Sequence, residues 1–132
     1  MPPYLSLLIL DERLRKPRLA TAFFIFGLIV LIGSIPGARA EIGQFGSGLV
    51  LHGAAYSVLT FLMYTGFQGT RSQRALKAVL GAMLMGAADE LVQSMLPYRV
   101  GALLDWVVDA TSAIITAGLL RWLLPEPAVT RL

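Results

Sequence analysis

Eight polar side chains set among apolar runs carry whatever chemistry this chain can do: His52, Tyr56, Asp89, Glu90, Gln93, Arg99, Asp105 and Asp109. His52 and Tyr56 are four residues apart, as are Asp105 and Asp109, and Glu90 and Gln93 are three apart. Such spacings place both members of a pair on one helix face. A histidine among carboxylates can run acid–base chemistry or ligate a divalent cation, though no spacing here singles out one metal. His52, Glu90 and Asp109 are therefore the candidate catalytic groups, with Tyr56, Gln93, Arg99 and Asp105 as binding groups. The planar fork of Arg99 suits a phosphate or carboxylate, or else pairs with Glu90 or Asp105. His52 could equally serve as an interhelical hydrogen bond. Asp105, one turn from Asp109, repels it unless a proton, a cation or Arg99 intervenes. Asp89 points about 100° away from Glu90 and is expected behind the site or against a neighbouring helix.

The elements that hold these groups follow from composition. Of 132 residues, 56% are hydrophobic and 14% charged, with a mean hydropathy of +0.70; a soluble domain is roughly 25% charged. That excludes a soluble globular domain. Four apolar stretches, about 19–35, 48–67, 75–96 and 101–124, are bounded by Gly, Pro or charge. Each is long enough to cross a hydrocarbon core of roughly 30 Å. The expected architecture is all-α: a single polytopic membrane domain over 1–132, built as a four-transmembrane-helix bundle. The chain has no cysteine, which removes disulfides, thiolate nucleophiles and Cys-ligated metals.

The net charge of +3 does not indicate nucleic acid as a partner, because the basic residues sit at the edges of apolar runs. With four spans, nine of them (Arg13, Arg15, Lys16, Arg18, Arg71, Arg74, Lys77, Arg121 and Arg131) fall on one side, against Arg39 and Arg99 on the other. The positive-inside rule then puts both termini in the cytoplasm. A rival reading takes the first run and Ala38-Arg39-Ala40 as a signal peptide with its cleavage site. In the four-span topology His52, Asp89, Glu90, Gln93, Asp105 and Asp109 share the outer leaflet, with Arg99 in the loop just above. An ionisable group deep in a span costs roughly 2.5–3.5 kcal/mol and so faces protein or a watery cavity. Small residues, Gly53, Ala54 and Ala55 on the second span and Gly81, Gly86, Ala87 and Ala88 on the third, allow close helix approach. Together these predict a compact bundle with an outward-facing polar pocket.

The run His52-Gly-Ala-Ala-Tyr56, then Glu90-Leu-Val-Gln93, Pro97-Tyr-Arg99, and Asp105 followed by Asp109 resembles the VanZ-like family of small bacterial membrane proteins. That family carries His-x-x-x-Tyr, Glu-x-x-Gln, Pro-x-Arg and Asp-x-x-x-Asn in this order, and Asp109 stands at its Asn position. The resemblance covers about 20–124. It implies a cell-envelope protein of the glycopeptide (teicoplanin) resistance accessory type, handling a membrane lipid or a lipid-linked cell-wall precursor. Three classes stay open. An enzyme would use His52 or Glu90 as acid or base and Arg99 as anion clamp. A transporter would use the cluster for a proton or cation, and a scaffold would use it to hold helices together. Trp106 and Trp122 fit interfacial belts, Met83, Met85 and Met95 fit packing, and Ser57, Thr60 and Thr111 fit bonding to helix carbonyls.

Overall fold

Thr70 and Gln73 form a reciprocal cap: the Gln73 N–H donates to the Thr70 hydroxyl at 3.2 Å, and the Thr70 N–H to the Gln73 side chain at 3.0 Å. Ser47 likewise accepts from the Val50 N–H. These caps open two of the long helices in the computed structural model, which describes residues 9–99 and 101–126. The helices in chain order are α1 (Arg15–Gly33), the short α2 (Ala38–Ile42), α3 (Gly48–Gly66), α4 (Arg71–Ser94) and α5 (Leu103–Leu123). No strand occurs among the described residues. Arg131, used above to orient the chain, lies outside them.

Three segments, Glu12–Gly33, Gly48–Gly66 and Leu103–Leu123, are long and apolar enough to cross a membrane. The helix at the expected third span, α4, has the length, at 24 residues, but carries Arg71, Arg74, Lys77, Asp89 and Glu90. Its two faces are sorted in an unusual way. Arg74, Ala78, Ala82, Met85, Gly86, Asp89 and Gln93 form the buried stripe, whereas Leu76, Leu80, Leu84 and Leu91 are 50–71% exposed. Water would favour the reverse.

Centrally placed α3 packs against α1, α4 and α5, while α1 touches α4 only slightly. The core combines Tyr56, Leu59, Met63 and Tyr64 of α3 with alanines of its neighbours: Ala22, Ala78, Ala82, Ala113 and Ala117. Small side chains here set the helix separation. A built Cβ on Gly53 would lie 3.2 Å from Ser112 Oγ, and one on Gly86 would lie 3.1 Å from both Asp109 Oδ2 and Trp106 Cδ1. Ala54, Ala87 and Ala88, also expected at interfaces, are exposed instead. Met85 is buried as packing predicts, but Met95 is 73% exposed. Ser57, Thr60 and Thr111 do donate to helix carbonyls four residues earlier, each at 2.7 Å.

Helix ends away from the polar cluster are closed by arginines. Arg15 Nε donates to Gly66 O and Arg18 Nη1 to Thr65 O, each at 3.2 Å. They satisfy C-terminal carbonyls of α3 that lack an intrahelical partner. Gly69, with φ at 121°, makes the turn from α3 into α4. Just beyond α5, Glu126 accepts from Arg71 Nε at 2.9 Å and from the Arg71 N–H at 3.1 Å. These hydrogen bonds hold the Glu126 carboxyl below its ordinary value. A carboxyl held low contributes in full above its ordinary pKa, and the contribution fades as pH falls through the folded-state value. Glu126→Gln should therefore lower Tm slightly at about pH 7 and by less at about pH 3. Paired thermal melts at the two pH values check this.

Candidate functional site

The polar residues gather where α1 and α4 end and α3 and α5 begin. The four-residue spacing of α3 stacks the His52 and Tyr56 rings, with planes 6° apart and centroids 6.3 Å apart. The same spacing on α5 turns Asp105 and Asp109 inward, 3% and 0% exposed. His52 Nδ1 lies 3.0 Å from Asp109 Oδ1, and Nε2 lies 3.7 Å from Asp105 Oδ2. The imidazole thus stands between two carboxylates, which answers the repulsion expected between them. Gly86 makes this possible, since any larger residue would press on Asp109.

On α4 the acidic pair diverges, and Asp89 takes one of its two expected places, against a neighbouring helix, while also bordering a cavity. Asp89, one turn from Gln93 on the buried stripe, faces α1; a built Cβ on Gly33 would lie 4.0 Å from Asp89 Oδ1 and 3.7 Å from Gln93 Nε2. Glu90 turns toward the start of α5, where its carboxylate accepts from the Ala102 N–H at 2.5 Å. Asp89 therefore stands inside the site, and Glu90 caps the neighbouring helix. The Asp89–Gln93 spacing of four, in register with Ala78, Ala82 and Gly86, was the signal for this. Arg99 donates to Gln93 Oε1, and among the described residues it forms no ion pair. Trp106, expected in an interfacial belt, donates its Nε1 to Met83 O at 3.0 Å and so ties α5 to α4. Trp122 is 78% exposed near the far end of α5.

Five of these groups line a cavity of about 470 Å³: His52, Tyr56, Asp89, Gln93 and Arg99. Its walls are apolar, supplied by Ile25, Leu28, Ile29 and Ile32 of α1 and by Leu51 and Ala55 of α3. An apolar cleft with a few convergent polar groups is the usual form of a small-molecule site. Asp109 lies behind His52 and does not line the cavity. Inside the site, the Tyr56 hydroxyl, both Asp89 oxygens and Arg99 Nε are buried without a hydrogen-bond partner among the described residues. A divalent cation, open on sequence grounds, finds no group of three His, Asp or Glu arranged to hold it among the described residues.

No protein-family model matches the chain, and neither a curated protein nor a solved structure matches it.

Proposed function

We propose that this is a VanZ-like integral membrane protein of the bacterial cell envelope whose cavity takes the head and upper chain of a membrane lipid or lipid-linked cell-wall precursor. The carrying observation is the cavity's division into an aliphatic wall from α1 and α3 and a polar end with Arg99, which suits an amphiphile with an anionic head. The test is to extract the protein in copolymer discs and identify retained lipid by mass spectrometry. Wild type should carry a phosphate-headed lipid, and Ile29→Trp, which fills the wall, should lose most of it. Equal retention by both would refute the reading.

The four-span topology, with both termini cytoplasmic, is part of the same proposal. It is supported by the basic-residue asymmetry and by α4 turning leucines outward and polar groups inward, the arrangement an apolar surrounding favours. The chain has no cysteine, so Ser72→Cys and Pro97→Cys each add one label. Only position 97 should react from outside intact cells. Labelling of both positions from the same side would show that α4 does not cross.

One observation adds acid–base chemistry on the bound head as a second reading. Asp109 holds His52 Nδ1 from behind while the ring lines the cavity, so the imidazole can exchange a proton with a bound head. Release of a headgroup fragment by wild type but not by His52→Gln would establish it.

A further inference from the structure

The geometry points to a head that carries a protonated amine as well as a phosphate: an aminoalkyl phosphate ester on an acyl-chain lipid. This rests on the lipid-pocket reading above and specifies its occupant. Asp89 is 1% exposed and lines the cavity, yet neither carboxylate oxygen meets a donor among the described residues. Its Gln93 neighbour is occupied by Arg99. A buried carboxylate without donors is expensive, and a ligand that brings N–H groups removes that cost. The cavity that Asp89 lines gives such a donor access to it.

Arg99 supplies the opposite charge in the same cavity. Its Nε has no partner, and its guanidinium has no carboxylate among the described residues. Gln93 lies four residues, a rise of about 6 Å, from Asp89 along α4, and it is bonded to Arg99, so carboxylate and guanidinium border one cavity on either side of it. An ammonium and a phosphate on one short linker would bridge this side chain, with the ammonium on Asp89, the phosphate on Arg99 and the acyl chains along Ile25, Leu28 and Ile29. The rule of recognition is chemical. A trimethylated amine has no N–H to give Asp89, a glycerol head has no charge to give it, and a serine head brings a second carboxylate toward it.

The experiment measures retention of four phospholipids with matched chains, bearing ethanolamine, choline, serine or glycerol heads, in discs of equal mole fraction. The readout is native mass spectrometry of the full chain. Wild type should retain the ethanolamine lipid about tenfold over the others. Asp89→Asn, which keeps shape and removes the unpaired charge, should bring the ethanolamine and glycerol lipids within about twofold. Because the lipid series uses the unaltered protein, the result does not hang on the variant's folding. Equal retention of all four heads by wild type, with loss in Ile29→Trp, would overturn this inference and leave the pocket reading standing. Retention of none would overturn both. Competition by free phosphoethanolamine at the same concentration as by the lipid would assign the site to a soluble ester and overturn the lipid assignment.

Discussion

His52→Ala is expected to destabilise the bundle by about 3–5 kcal/mol, the usual cost of removing one partner from a buried ionic group. The ring stands between Asp109, 0% exposed, and Asp105, 3% exposed, and makes the only hydrogen bond to Asp109 Oδ1 among the described residues. Without it two carboxylates face each other in a low-dielectric interior. Asp109→Asn should behave differently: its amide oxygen still accepts from Nδ1–H, one carboxylate is gone, and stability should hold or rise. Combining the two substitutions should return a large part of what His52→Ala alone loses, since residues in one network couple. Glu90→Ala, by contrast, should add to His52→Ala almost independently, because Glu90 serves the Ala102 N–H. Melting curves in one detergent for these variants decide the matter. A His52→Ala protein that melts with wild type would show the imidazole to be idle.

Gly86→Val should destabilise the contact between α4 and α5 at the polar cluster. Even a bare Cβ there would sit 3.1 Å from Asp109 Oδ2 and Trp106 Cδ1, and 3.4 Å from Asp109 Cβ. The branched side chain forces α4 and α5 apart. That separation strains the Trp106–Met83 bond and shifts Asp109 from His52. Overpacking of this kind costs about 1–3 kcal/mol, to which the disturbed ionic group adds. Gly27→Ala is the matched control, because nothing lies within 4 Å of its added Cβ. Comparable melting of Gly86→Val and Gly27→Ala would mean that the helices are not in close contact there.

Helix positions and the gathering of polar groups at one end were readable because both depend on local spacing: 52/56 and 105/109 face inward for the same reason that any four-residue pair shares a face. The choice between Asp89 and Glu90 was harder. Adjacent residues on a helix differ by about 100°, and only the continuation of the buried stripe through Ala82 and Gly86 decides which one turns inward. Ala54, Ala87 and Ala88 show the same limit, since a small residue permits a close approach without specifying it. The cavity wall was illegible for another reason. Ile25, Leu28, Ile29 and Ile32 are chemically ordinary, and their part in a site depends wholly on where α1 lies against α3. Arg15 and Arg18 read as topology signals, and their bonds to α3 carbonyls are long-range contacts that no local pattern encodes.

The setting of α1 carries a mechanical consequence. Only Ala22 along it is fully buried, and Phe23, Phe24 and Leu31 are 61–66% exposed. One end is pinned to α3 by Arg15 and Arg18, and just past the other end Ser34 O accepts from the Tyr98 hydroxyl at 2.6 Å. It is a beam supported at both ends. Between the supports, apolar contact is what holds it among the described residues, and in hydrocarbon such contact is readily exchanged for contact with acyl chains. A load applied at mid-span, around Ile25 and Ile29, would bow the beam without freeing either end. In a bilayer, lateral pressure on α1 would therefore bear directly on the cavity that its isoleucines wall.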